Sequence, residues 1–207
     1  MNATPPPIRY GAIAPRAPEG PVDLDALIPG EGPLELDIGF GRGRSLFERA
    51  AVAPESRILG VEIKSKWAFK VEERRRRLGL EQVRILAEDI RQLLARSGPE
   101  GAVARAFVHF PDPWWKNKHA DRFVVAEPFL DAMASLLRDG GELYVQTDVE
   151  ERARRYRDMI AAHPAFELSG ESGFVPENPF GARSNREQRA EEDGLPVFRV
   201  LARRSAR

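Results

Sequence analysis

The segment Asp37-Ile38-Gly39-Phe40-Gly41-Arg42-Gly43 puts three alternating glycines directly behind a carboxylate. Glycines in a turn let the backbone double back tightly and let a ligand approach where a Cβ would clash. The GxGxG spacing differs from the GxGxxG of dinucleotide-binding turns, so no pyrophosphate need be cradled. An acid just ahead of such a turn can hold an ammonium group; the alternative is a glycine-rich connection with no ligand. Glu62 follows about twenty residues later, where an acid commonly accepts hydrogen bonds from ribose hydroxyls. A lone Glu at a strand end is ordinarily just solvated, and its distance from the glycines is what raises it. Asp89, in Ala87-Glu88-Asp89-Ile90, could contact an adenine amino group or cap the helix that follows. An S-adenosylmethionine site uses such a glycine turn, and the ligand role of Asp89 gains weight because all three acids fall at the same edge of one sheet.

A second constellation is His109-Phe110-Pro111-Asp112-Pro113-Trp114-Trp115-Lys116-Asn117-Lys118-His119. Two prolines fix the backbone around Asp112 and hold its carboxylate in one place. An aromatic pair followed by lysines suits stacking on a base and pairing with a phosphate. A Pro-rich turn with its tryptophans packed on the core explains the prolines, but not the adjacent acid and cations.

The elements that must position these residues alternate. Leu34 to Ile38, Arg57 to Val61, Val83 to Leu86, Ala104 to Phe110 and Glu142 to Gln146 read as strands. Helical stretches fall at Ser45 to Ala53 and about Ile90 to Arg96. Three further apolar stripes read as helices: Trp67, Val71 and Leu78; Val125, Phe129, Met133, Leu136 and Leu137, stopped by Gly140-Gly141; and Val149, Ala153, Tyr156 and Ile160. Strands near Phe166 and from Val197 to Leu201 finish the chain. Such alternation predicts an α/β fold, a parallel sheet with helices on both faces and ligands at the carboxyl ends of its strands. Residues 1–32, rich in Pro, Gly and Ala, read as a mobile N-terminal arm, leaving 33–207 as the domain that carries the chemistry.

Composition narrows the chemistry. The 207 residues contain no cysteine, which excludes disulfides, thiolate metal sites and Cys nucleophiles. His109, His119 and His163 lack metal-ligand spacing. A charged fraction of 31% and the lack of a long apolar run or a signal sequence predict a cytoplasmic protein without membrane contact. Net charge is +0, yet three basic runs stand out: Lys64, Lys66, Lys70 and Arg74 to Arg77; Lys116, Lys118 and Arg122; and Arg183, Arg186 and Arg189. A neutral total can hide a basic face, and sequence leaves open whether the runs converge.

In this order, DIGFGRG, GVEIKS, AEDI, HFPDPWWKNKH, QTD and SNREQR resemble the bacterial tRNA (guanine-N7)-methyltransferases, from Pro33 to Phe198. The most specific element is PDPW followed by Lys116 and His119. The resemblance implies a Rossmann-like class I methyltransferase fold: a mostly parallel seven-stranded sheet with a C-terminal antiparallel strand. It implies methyl transfer from S-adenosylmethionine to N7 of a variable-loop guanosine in tRNA, without metal, by a monomer or homodimer. Asp37, Gly39, Gly41, Glu62, Asp89 and Asp112 would form the donor site, with Asp112 also catalytic. Lys116, Asp148, Ser184, Asn185, Arg186, Glu187 and Arg189 would contact the tRNA. Three departures from the family pattern bear on the RNA grip rather than the donor pocket. Ser184 stands where Thr is usual, Trp115 replaces a common His, and Asp121 and Phe123 interrupt a usually more basic stretch.

Guanine N7 has an in-plane lone pair and no proton, so its methylation needs no general base, and catalysis can rest on positioning. A fixed carboxylate such as Asp112 could stabilise the cationic product or hold the N1 and N2 edge of the base. Without cysteine, C5 methylation through a Cys adduct is excluded. Two rival readings are a class I methyltransferase for a small molecule or protein, and an RNA- or nucleotide-binding module without catalysis. The first would have no use for Trp115, Lys116 and Arg189. The second would bind donor yet methylate no RNA.

Overall fold

The computed structural model describes residues 8–111, 124–170 and 172–207. In chain order the elements are α1 (Tyr10–Ile13), β1 (Val22–Asp23), α2 (Leu24–Leu27), β2 (Leu34–Ile38), α3 (Arg44–Val52), β3 (Arg57–Val61), α4 (Ser65–Arg77), β4 (Val83–Leu86) and α5 (Ile90–Leu94). They continue with β5 (Ser97–Gly98), β6 (Val103–His109), α6 (Glu127–Leu136), β7 (Leu137–Thr147), α7 (Glu150–Ala162), β8 (Phe166–Leu168), α8 (Asn185–Glu192) and β9 (Phe198–Arg204).

Seven strands form one sheet in the order β4-β3-β2-β6-β7-β9-β8. β2, β3, β4 and β6 pair in parallel with one another and with β7, and the nearly continuous apolar run of β6 suits a strand covered on both sides. β9 runs antiparallel to both β7 and β8, which supplies the C-terminal antiparallel strand that the resemblance implies. Side chains alternate across each strand. Leu36, Ile38, Ala106 and Val108 therefore pack with α5, α6 and α7 on one face. Ile58, Val83 and Ile85 pack under α3 and α4 on the other. Order reverses between β2 and its neighbours, with β3 on one side and β6 on the other, so the strand ends diverge there and leave room for a ligand.

Three local outcomes differ from the sequence reading. The helix expected through Leu137 ends at Leu136, and β7 begins at once. Its early residues bulge against β6 around Gly140, whose φ of +72° a glycine tolerates. On α4 the buried face is Ala68, Val71 and Glu72, while Leu78 is exposed and Trp67 sits at the edge of the stripe. Of the segment expected to be an N-terminal arm, residues 8–32 are laid along the domain. Ala87 N–H donates to the Pro15 carbonyl at 2.7 Å, β1 pairs with β5, and Val22, Leu24 and Ile28 join the main core. Each such buried side chain contributes about 1.5–3 kcal/mol, so even a short aperiodic segment gains by docking. Among the described residues no helix is long and apolar enough to cross a membrane.

Candidate active site

The carboxyl ends of β2, β3, β4 and β6 surround a cleft of about 330 Å³. Gly39 lines it from the turn after β2, Glu62 and Lys64 from the end of β3, Asp89 and Arg91 beyond β4, and His109 to Pro111 at the end of β6. Three of the acid-bearing turns expected from sequence thus reach one rim, with the difference at Asp37 described below.

The glycines serve two distinct ends. Gly39 and Gly41 have φ of +74° and +58°, and among the described residues a Cβ on either would meet no atom within 4 Å beyond its chain neighbours. Backbone conformation demands glycine there, and the space in front stays open for a ligand. Gly43, at φ +77°, is packed: its Cβ would fall 2.9 Å from both methyl groups of Val71, so it sets the approach of α3 to α4.

Glu62 ties the rim together. One of its oxygens accepts from Gly41 N–H at 3.0 Å and the other from Lys64 N–H at 2.8 Å. Backbone amides hold the carboxylate in place without neutralising it, and each oxygen keeps acceptor capacity. Asp89 is both helix cap and cleft wall. It accepts from Arg91 N–H at 3.0 Å at the start of α5, and the Arg91 guanidinium grips it at 2.6 Å. Hydrogen bonding from Arg91 holds this carboxyl below the usual carboxylate range.

Asp37 does not line the cleft. By strand alternation it points, with Glu35, to the face opposite Leu36 and Ile38. There it borders a small cavity of about 10 Å³ with Ser45, Phe107, His109 and Asn178. Its Oδ2 accepts from the Ser45 hydroxyl at 2.7 Å, whereas Oδ1 is buried with no hydrogen-bond partner among the described residues, as is His109 Nδ1. Burial pushes the Asp37 carboxyl up from its ordinary value, with His109 and the Ser45 hydroxyl pulling the other way. Burial likewise lowers His109, against the pull of Asp37.

The α8 corner differs more from its expected role. Ser184 is the N-cap of α8 and accepts from Glu187 N–H at 3.0 Å. Glu187 is 0% exposed. Its carboxylate receives Arg199 at 3.0 Å, Gln146 Nε2 at 3.0 Å and Asn178 Nδ2 at 3.2 Å, which docks α8 on β7 and β9. Asp148 is paired with Arg186, whose Nε lies at 2.9 Å, and Arg189 with Asp193 at 2.9 Å. Asn185 is exposed at the start of the helix. Asp112 and Lys116 lie outside the described residues, and Pro111 is the last described residue before them.

Sequence reasoning passed over Phe110. Its φ of +49° is left-handed although it is not glycine and precedes a proline, a position that favours extended backbone. Such strain costs about 1–3 kcal/mol and persists where surroundings impose it. Here Phe110 N–H donates to the Gln146 carbonyl at 2.8 Å, which turns the chain at the cleft wall. The Arg16 guanidinium was also missed. It bonds the Ala87 carbonyl and lies 3.8 Å from Glu88, while Ala17 N–H donates to Glu88 at 3.1 Å, closing the β4 side of the cleft. An isolated Arg in a Pro-rich segment gives no signal of this.

Comparison with known proteins agrees with this geometry. Residues 31–200 match the family model described as "Putative methyltransferase". A tRNA (guanine-N(7)-)-methyltransferase of Nostoc sp. is 37% identical over 84% of this chain and 81% of its own length. The enzyme of that name from Myxococcus xanthus is 33% identical over 88% of each chain. The crystal structure of the 16S rRNA methyltransferase KamB superposes with a TM-score of 0.59 at 15% identity, covering 88% of this chain and 91% of that one; it speaks for the fold alone. Relatives this similar over this much of their length settle membership: the chain belongs to the tRNA (guanine-N7)-methyltransferase family.

Proposed function

We propose that this chain transfers a methyl group from S-adenosylmethionine to N7 of a guanine in tRNA, at a variable-loop guanosine. The observation that carries the reading is Glu62, fixed between Gly41 N–H and Lys64 N–H beside an open glycine turn. An anion held in this way matches ribose hydroxyls, and Gly39 and Gly41 admit a ligand backbone at close range. When bound, S-adenosylmethionine supplies an activated methyl group on a sulfonium.

The protein's own residues then have positioning to do. Glu62 fixes the ribose, and Asp89, held by Arg91, presents acceptors to a purine amino group. Asp37 acts from behind the turn, where its bond to Ser45 ties β2 to the first turn of α3. Asp112, next in sequence to the cleft residue Pro111, is assigned to the guanine, holding its donor edge or offsetting the positive charge of the product. No residue is required as a general base, since N7 carries no proton. On the RNA side we assign Lys116, Asp148, Asn185, Arg186 and Arg189. Ser184 and Glu187 build the helix that presents the last three.

The test is incubation with methyl-labelled S-adenosylmethionine and unmodified tRNA, followed by chain cleavage at 7-methylguanosine. Label in tRNA with scission at one variable-loop guanosine is expected. Label at another atom or in another molecule, or none at all, overturns the reading.

A further inference from the structure

Of the basic runs, the two that fall among the described residues are in opposite electrostatic states. Arg183, Arg186 and Arg189 are each paired with an acid: Glu191 at 3.3 Å, Asp148 and Asp193. The run on α4 divides. Arg75 and Arg76 turn back onto Glu72 at 2.8 and 2.7 Å, which consumes two of its four consecutive arginines. Lys66, Lys70, Arg74 and Arg77 recur at helical spacing and fall within about 80° of one another at 100° per residue. All four are exposed, and among the described residues none has a carboxylate within 4.0 Å. The other acid of the helix, Glu73, shares this face and is likewise without an ion pair.

This stripe joins the cleft. Lys64, immediately before α4, lines the cleft itself. Arg42, between Gly41 and Gly43, lies 5.2 Å over the half-buried ring of Trp67, with Lys70 Nζ at 5.9 Å from the same ring. From the mouth outward, the surface therefore offers a cation, an aromatic plate flanked by two cations, and further cations along the helix. From Lys66 to Arg77 that is about 16 Å of helix at 1.5 Å per residue. Free cations in a row attract a phosphate backbone, and an aromatic among them offers a stacking surface.

We infer that the exposed face of α4, with Arg42 and Trp67, is the surface on which the tRNA backbone docks, and that the paired arginines of α8 contribute less. This rests on the tRNA reading above and adds to it the face by which the substrate enters.

The test compares the full chain with Lys66→Ala/Lys70→Ala, and with Arg154→Ala/Arg203→Ala as a charge-matched control taken from paired positions on α7 and β9. Binding of unmodified tRNA is measured against salt without donor, and methyl transfer separately. For the α4 variant the expected result is a roughly tenfold weaker tRNA affinity, with the slope of log affinity against log salt shallower by about two, one per lost phosphate contact. Donor affinity and kcat at saturating tRNA stay at the wild-type level, as does the control throughout. An α4 variant with wild-type tRNA affinity and salt slope overturns the inference, as does a control that loses as much. Failure of the tRNA reading itself would show separately, as a wild-type chain that methylates no tRNA.

Discussion

Glu62 and Glu187 are both nearly buried acids, at 6% and 0% exposed, and both stand in motifs that sequence marks as functional. Their surroundings make them opposites. Glu62 is held by two backbone N–H groups, which position it and leave its charge unspent toward the cleft. Glu187 meets the Arg199 guanidinium and two side-chain amides, so both its charge and its lone pairs are committed inside the fold. A fully buried carboxylate whose lone pairs are all taken inside the fold has little to offer a ligand, whereas one that backbone amides position at the cleft wall keeps acceptor capacity for it. The same distinction separates the free cations of α4 from the paired ones of α8.

The largest effect that could break this contrast is at Glu187. Glu187→Ala takes from Arg199 its nearer carboxylate, in a site where the Arg199 side chain is only 11% exposed and keeps Glu191 at 3.8 Å and the Pro176 and Val197 carbonyls. Removing one partner of a buried pair costs about 3–5 kcal/mol. We expect a clear fall in the urea midpoint, with donor affinity of the remaining folded protein unchanged. A variant of wild-type stability whose tRNA affinity has collapsed would instead make Glu187 a ligand contact and erase the distinction.

Next is Glu62→Ala, expected to act on binding rather than stability. Hydrogen bonds to a charged group are worth about 1.5–3 kcal/mol, a loss of roughly ten- to a hundredfold in donor affinity by titration calorimetry. The midpoint of unfolding should shift far less than for Glu187→Ala. Equal loss of stability in both variants would mean that Glu62 is structural too.

The contrast also explains what sequence could and could not reveal. The sheet was legible because apolar runs and glycine stops are local properties, and Glu62 because it ends one of those runs. The position of Asp37 was readable in principle, since strict alternation places it with Glu35 and away from Ile38. The Ser184-x-x-Glu187 spacing is a helix-start signature, and it foretells α8. Nothing local foretells that Glu187 turns inward, because that depends on Arg199 and Gln146 arriving from distant strands. The docking of residues 8–32 was illegible for the same reason: its partners lie at the edge of β4 and in the main core. Phe110 is the sharpest case, with a tertiary hydrogen bond overriding what its own proline neighbour favours.

The smallest effect separates the two roles left at the α8 corner. Arg186 is 43% exposed at its side chain and Asp148 is 13% exposed, so their pair is screened by solvent. Arg186→Ala should cost about 0.2–1 kcal/mol at low salt and less as salt rises. Its effect on tRNA carries more information. If Asp148 must leave Arg186 to meet the substrate, Arg186→Ala frees it in advance, and KM for tRNA stays level or falls while Asp148→Ala raises it. If the intact pair is itself the contact, both variants raise KM together, and α8 presents a neutral surface of paired charges where α4 presents an open positive one.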